Sequence, residues 1–212
     1  MSLIKLLSIS GSPVEGSSTD ILLKRIADSF AGAVDQETAV ELVSLNNLKF
    51  IPCQACGRAP TPQYCFYDHD LSRVYESLEK CDCLIFGSPV YFDSVSGQAK
   101  MFIDRCNCFR PYDFNNTDPD HYFIKLLKRK RPGAMVLVGG ERQWMEGARR
   151  VIAGFFKWVE VTNEGMITYS STDDRRIGTV AEDGKKLEEA DTLGRRLATQ
   201  LTAIQEQNNG RR

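Results

Sequence analysis

The sequence predicts an α/β fold: a doubly wound, five-stranded parallel sheet in the order 2-1-3-4-5, with helices on both faces. Three observations predict it. Short apolar runs alternate with amphipathic stretches, the pattern of strand-helix units. The runs are nearly continuous in apolar residues, as strands buried on both faces are. The loops after the first and third runs are rich in glycine, serine and proline, and such sheets bind ligands at their carboxyl-end loops.

Residues 3–9 read as the first strand. Residues 19–34 carry Leu22, Ile26 and Phe30 at a spacing of four, a helical stripe. Residues 39–44 are a second strand. Residues 45–70 hold three cysteines and three prolines and read mostly as loop. A helix over 71–79 leads to a third strand over 82–87. Residues 97–108 are helical, with Ala99, Phe102, Ile103 and Cys106 on one face and Ser96 as the N-cap. A turn-rich surface insertion spans about 109–120. Residues 135–138 are a fourth strand, ended by Gly139-Gly140. A helix over 145–159 turns Ala148, Ile152, Phe155 and Val159 inward, and 166–170 form the fifth strand. The last helix carries Leu187, Ala190, Leu193, Leu197, Leu201 and Ile204 as one stripe, with Gly194 inside it at a propensity cost of about 1 kcal/mol relative to alanine.

The 212 residues suit one domain over 1–208, with a frayed tail at 209–212. Hydrophobic residues at 42% and charged residues at 26% are ordinary for a soluble globular chain. No apolar run approaches the ~20 residues of a membrane span. A net charge of -1 gives no electrostatic case for nucleic acid. The N-terminal apolar segment is broken by Lys5 and leads into a glycine-serine loop, so it reads as a strand of a cytoplasmic protein. Seven cysteines, an odd number, point to reduced thiols over a disulfide framework.

The loop after strand one reads Ser10-Gly11-Ser12-Pro13-Val14-Glu15-Gly16-Ser17-Ser18-Thr19. A helix follows at once. Free N–H groups at a helix N-terminus attract phosphate, and the hydroxyls of Ser10, Ser12, Ser17, Ser18 and Thr19 add donors. The loop has no Lys or Arg, and neither GxxxxGK[ST] nor GxGxxG is present. Plain turn and capping roles are the alternative for these residues.

The loop after strand three reads Gly87-Ser88-Pro89-Val90-Tyr91-Phe92-Asp93-Ser94. Proline and aromatic surfaces there suit a flat, partly apolar ring. The alternative is packing on the core or at a subunit contact. The whole stretch, GSPVYFDSVSGQAKMFIDR, resembles a signature of NAD(P)H-dependent FMN reductases and iron-sulfur flavoproteins. SISGSPVEGSSTDILL resembles the phosphate loop of the same family, and Val138-Gly139-Gly140-Glu141 resembles its third loop. The resemblance covers roughly residues 1 to 170.

The resemblance implies a flavodoxin-like fold with non-covalent FMN and NAD(P)H as co-substrate. On it, Ser10, Ser12, Ser17, Ser18 and Thr19 hold the phosphate. Pro89, Val90, Tyr91, Phe92, Asp93 and Ser94 border the isoalloxazine, and Gly139, Gly140 and Glu141 close over its other side. Val14 stands where the family often has Arg, which leaves the phosphate more fully to backbone N–H groups. The implied activity is an oxidoreductase that takes a hydride from NAD(P)H and passes electrons to a flavin, a quinone or another acceptor. A flavoprotein relaying electrons between protein partners is the alternative, and a scaffold without its ligand is the third reading. A homodimer or homotetramer is implied. No side chain is assigned as acid or base.

Cys53, Cys56 and Cys65 follow strand two, and C-x2-C is a chelating spacing. The iron-sulfur flavoproteins carry C-x2-C-x2-C-x(4–9)-C here. The first, second and fourth positions match these three cysteines, and the third falls on Ala59. The segment is therefore one thiolate short of a 4Fe–4S set. The expected state is no metal, with a cluster next and zinc last. A remote thiol from Cys81, Cys83, Cys106 or Cys108 is a candidate fourth ligand, although the first pair lies beside a buried strand.

Residues 125–131 (KLLKRKR) read as the solvated C-terminal end of a helix. A contact to a nucleotide 2′-phosphate is the alternative. His69 and His121 lack neighbours that would make a triad. Trp144 and Trp158 suit helix packing or an oligomer contact.

Overall fold

Strand β1 (Ile4–Ser10) supplies two cores at once: Leu7 and Ile9 face one side of the sheet, Ile4 and Leu6 the other. Strand β3 (Cys83–Tyr91) repeats the alternation with Leu84 and Phe86 against Cys83 and Ile85, and so does β5 (Arg131–Gly140) with Met135 and Leu137 against Ala134 and Val136. This two-sided burial is why the runs read as continuously apolar. The computed structural model describes residues 3–56, 64–67, 70–113, 115, 123–140, 144–171, 173 and 175–209.

The parallel order is β2-β1-β3-β5-β6, where β2 is Thr38–Ser44 and β6 is Val161–Ser171. Counting only these five, it is the predicted 2-1-3-4-5. The sheet has a sixth member, the two-residue β4 (Ser94–Val95), which pairs antiparallel with the end of β3. Two residues are too few to show a period in sequence. Helices α1 (Ser18–Ala33) and α5 (Gly184–Asn209) cover one face. Helices α2 (Leu71–Lys80), α3 (Gly97–Arg105) and α4 (Glu146–Trp158) cover the other. The predicted stripes are the buried ones, Leu22, Ile26 and Phe30 on α1 and Ala148, Ile152 and Phe155 on α4. No helix among the described residues is long and apolar enough to cross a membrane.

Gly194 has a packing reason. A β-carbon there would lie 2.5 Å from the Ile26 carbonyl oxygen and 2.7 Å from the Ser29 β-carbon. The missing side chain lets α5 cross α1 at backbone contact, which offsets the propensity loss.

Three expectations are corrected. The helix expected over 97–108 ends at Arg105, and the tighter 3-10 turn Cys106–Phe109 follows it. The fourth and fifth strands are longer than predicted. The basic run does not end a helix: residues 124–130 are irregular and Arg131 opens β5. Its cations serve a different helix. Arg131 is buried and donates to the carbonyls of Leu78 and Cys81, while Arg129 donates to those of Lys80 and Cys81 and pairs with Asp82 at 2.5 Å. These are the orphan carbonyls at the C-terminus of α2, where positive charge is favoured. The run's sequence shows its charge but not which helix end it would meet.

Of the predicted insertion, residues 109–113 and 115 are described. Tyr112 bridges Phe123 antiparallel, with ring centroids 4.8 Å apart. The Arg110 guanidinium lies 4.6 Å from the Phe123 ring and 4.6 Å from the Trp158 ring. Trp158 therefore packs, as expected, while Trp144 is 76% exposed. His69, His121 and residues 210–212 lie outside the described residues.

Candidate active site

The loop after β1 is held from both ends. Gly11 N–H donates to the Gly87 carbonyl at 2.8 Å, and the Ser96 hydroxyl donates to the Gly11 carbonyl at 2.6 Å. Ser96 also caps α3, accepting from Ala99 N–H at 3.1 Å. A side chain at Gly11 would put its β-carbon 2.7 Å from that of Ala99, so glycine is required for this approach.

Ser17 caps α1. Its hydroxyl accepts from Asp20 N–H at 3.3 Å, and the Asp20 carboxylate accepts in return from Ser17 N–H at 3.3 Å. This capping box was legible as Ser17-x-x-Asp20 and was missed. Asp20 also accepts the Ser10 hydroxyl at 2.5 Å, and Ser10 Oγ accepts Ser12 N–H at 3.2 Å. Ser10 and Ser17 thus shape the loop. The N–H groups of Ser18 and Thr19, first in the helix, have no acceptor within it and carry its positive partial charge.

These groups open onto a cavity of about 320 Å³ at the carboxyl ends of the central strands. Ser12, Val14, Ser17, Ser18 and Thr19 form one wall; Pro89, Val90 and Tyr91 a second; Val138, Gly139 and Gly140 a third. Of the residues predicted for the site, Ser10, Phe92, Asp93 and Ser94 do not line it. Glu141 lies outside the described residues. A fourth wall was not foreseen: Ser171 at the end of β6, and Arg176, Ile177, Gly178 and Thr179 from the segment that follows. No motif marks that segment. Its one clue is Gly178, left-handed at φ 69°, whose β-carbon would stand 2.8 Å from the Gly16 carbonyl oxygen. Val180 N–H donates to the Ser18 hydroxyl oxygen at 3.2 Å and ties this segment to α1. Arg176 brings a cation to a wall whose predicted residues had none. It pairs with Glu182 and holds that carboxyl below its ordinary range.

Phe92 and Asp93 form the two-residue loop between β3 and β4, left-handed at φ 49° and 58°. This is the twist a tight hairpin wants, in residues other than glycine, at roughly 1–2 kcal/mol each. The Asp93 carboxylate accepts Trp144 N–H at 2.9 Å, which fixes the hairpin to the entrance of α4. Phe92 is left wholly exposed, beside Tyr91 at the cavity wall.

The cavity suits FMN in size and polarity. Its volume is in the range of small-ligand sites, with phosphate-type donors at one end and a proline-aromatic wall at the other.

A second cavity, of about 190 Å³, lies under α3. Cys53, Cys56, Cys65 and Cys108 line it, with Arg105, Asn107, Arg110 and the rings of Phe66, Tyr67, Tyr112 and Phe123. Ala55 is left-handed at φ 47°, which curls the chain between Cys53 and Cys56. Arg105 donates to Cys65 Sγ at 2.9 Å. Burial pushes the Cys108 thiol up, and the neighbouring Cys65 pushes it in the same direction. Among the described residues no three His, Cys, Asp or Glu side chains are grouped to hold one metal ion. Ala59 lies outside the described residues.

A family model described as NADPH-dependent FMN reductase matches residues 4–170. An iron-sulfur flavoprotein of Methanosarcina thermophila is 28% identical over 195 residues, covering 87% of this chain and 93% of its own. Another, of Methanocaldococcus jannaschii, is 30% identical over 200 residues, covering 92% and 91%. Among solved structures, a flavone reductase matches with a TM-score of 0.68 at 17% identity, covering 95% of this chain and 64% of that one. That last likeness is one of fold.

Proposed function

The chain belongs to the NADPH-dependent FMN reductase family, and on that premise we propose that the cavity beside α1 is where it holds FMN. The protein is an FMN-dependent oxidoreductase that takes a hydride from NAD(P)H and passes electrons to an acceptor. The observation that carries the proposed site is one of convergence. The first turn of α1 and the Pro89–Val90–Tyr91 end of β3 open onto the same cavity.

Bound FMN supplies the hydride-accepting ring. The chain supplies position and charge. The N–H groups of Ser18 and Thr19 would hold the phosphate, with the Thr19 hydroxyl beside them. Ser10 and Asp20 keep that turn in shape. Arg176 stands on the opposite wall as a further partner for phosphate. Pro89, Val90 and Tyr91 would border one side of the ring, and Gly139 and Gly140 the other. Phe92, outside the cavity, would offer the nicotinamide an apolar surface at the mouth.

Anaerobic stopped-flow mixing with NADPH and with NADH tests the reading. Rapid loss of the flavin's visible band with either nucleotide is expected. A flavin band that survives both would overturn it. The cavity of four cysteines favours a second reading, an FMN protein that relays electrons between protein partners.

A homodimer or homotetramer would cover the exposed Phe92, Trp144 and Ile177 at the rim. Light scattering on the eluting protein reads this directly. Residence in the cytoplasm is supported by seven free cysteines. The near-neutral net charge of -1 gives no electrostatic case for nucleic acid as the main partner.

A further inference from the structure

We propose that the cavity under α3 is a second ligand site, separate from the FMN cavity, and that it takes a small aromatic carboxylate. The inference goes beyond the flavin reading and does not depend on it. The two cavities share no wall residue. The nine residues of α3 run between them, about 13 Å of helix. Ser96, at one end, is bonded to Gly11 of the loop after β1, and Arg105 is at the other.

Charge sets the sign of the ligand. Among the described residues two cations line the cavity, Arg105 and Arg110, and no carboxylate does. Arg105 is only 2% exposed. Its Nη2 donates to Cys65 Sγ at 2.9 Å, and its Nε has no hydrogen-bond partner. Among the described residues no carboxylate pairs with it, and a buried cation without a counter-charge is costly. An anion in the cavity supplies that counter-charge. Arg105 lies too deep to be the group a ligand touches, so it acts through its charge from behind the wall. Arg110 is the group that meets the ligand. Its guanidinium is held 4.6 Å from the Phe123 ring and 4.6 Å from the Trp158 ring, and its Nε donates to Asn107 Oδ1 at 3.0 Å. Among the described residues nothing accepts from its two terminal nitrogens. They form a pre-ordered fork of the kind a carboxylate meets with both oxygens.

Size and surface set the rest of it. The cavity measures about 190 Å³, against about 320 Å³ for the FMN cavity. That is too little for a dinucleotide or a second flavin, and enough for one ring with its carboxyl group. The rings of Phe66, Tyr67, Tyr112 and Phe123 line it. The thiols between them act toward a ring as small, polarizable apolar groups. A hydrated inorganic anion gains nothing from such a surface. An aromatic carboxylate buries its ring there and keeps its charge at Arg110.

The test is calorimetric titration of the purified, FMN-loaded protein with benzoate and with benzylamine, a similar ring of opposite charge. Benzoate should bind once per chain, at least about tenfold tighter than benzylamine. Arg110→Gln should weaken benzoate by about tenfold or more, with FMN content unchanged. A second measurement needs no variant: maleimide alkylation of the wild type, read cysteine by cysteine by mass spectrometry. Benzoate should slow alkylation of Cys56 and Cys65, which line the cavity, while benzylamine should not. Equal binding of the two probes, an Arg110→Gln variant that binds benzoate like wild type, or wall thiols alkylated at an unchanged rate would each overturn the proposal. So would a flavin band shifted by benzoate, or benzoate displaced by NADPH, since either puts the ring on the flavin. Benzoate bound at Arg110 in a chain that takes up no FMN would uphold this site and sink the flavin site alone.

Discussion

Gly147, in the first turn of α4, lies so close to Asp93 that a β-carbon on it would stand 2.1 Å from the Asp93 carbonyl oxygen. The contact is backbone against backbone, so neither side can yield by rotating a side chain. It seats the hairpin that carries the Tyr91 wall. Gly147→Ala should therefore shift that wall. Its expected effects are FMN affinity about tenfold weaker, ~1.4 kcal/mol, and a lower Tm. Flavin fluorescence titration and a thermal melt check both. An unchanged Kd would show that the hairpin's seating does not matter to the cavity.

The Asp20 carboxylate accepts two groups of the loop, the Ser10 hydroxyl and the Ser17 N–H, and its own N–H donates to the Ser17 hydroxyl. Asp20→Ala should remove about 1 kcal/mol of capping. At this chain length that lowers Tm by roughly 2–4 °C. Asp20→Asn keeps an acceptor and should lose less. A melt series over the three proteins decides, and an alanine variant as stable as wild type would contradict the role.

Arg176 and Glu182 form an exposed pair, so the pair adds little stability. Arg176→Ala should leave Tm within a degree or so of wild type. It should weaken FMN by about tenfold while leaving riboflavin alone. Equal losses for both ligands would place Arg176 at the ring end, and no loss for either would remove it from the site.

Cys81 and Cys83 are buried, and desolvation raises both thiols above the ordinary value of 9.0. The sign follows from the protons bound. Past pH 9 the unfolded chain releases these protons and the folded chain keeps them, so stability falls as pH rises. The slope is about 1.4 kcal/mol per pH unit for each thiol that stays protonated. Urea melts between pH 8 and 10 should show the decline starting near the unfolded value. Cys83→Ala should make it shallower, and a slope identical to wild type would count against the assignment.

Gly194→Ala tests packing against propensity. Alanine gains about 1 kcal/mol of helix propensity, yet its β-carbon would meet the Ile26 carbonyl at 2.5 Å. The contact wins, and a net loss of Tm is expected. A rise in Tm would show that α5 can slide away from α1 freely.

The three central strands were legible because burial on two faces leaves a composition signal, while the edge strands β2 and β6 are largely exposed or half-buried and showed only as shorter apolar runs. Leu84 and Phe86 on one side of β3 and Ile85 on the other must all be apolar. The phosphate loop was legible because it joins a buried strand to a helix, and its Ser17–Asp20 cap was there to be read. Arg176 and Gly178 were not, because tertiary packing alone brings the end of β6 to α1. The same holds for Arg129 and Arg131, whose charge is plain in sequence but whose partners, the last carbonyls of α2, are about fifty residues away. Cys108 joined a set of candidate fourth thiols on composition. Only the 3-10 turn after α3 separates it from Cys106.

The most direct test of the central claim compares two ligands that differ by one phosphate. Protein stripped of flavin is titrated with FMN and with riboflavin, following fluorescence. Helix α1 and Arg176 should make FMN bind about 100-fold tighter, ~2.8 kcal/mol. Equal affinities, or no binding of FMN at all, would contradict a phosphate site at the start of α1.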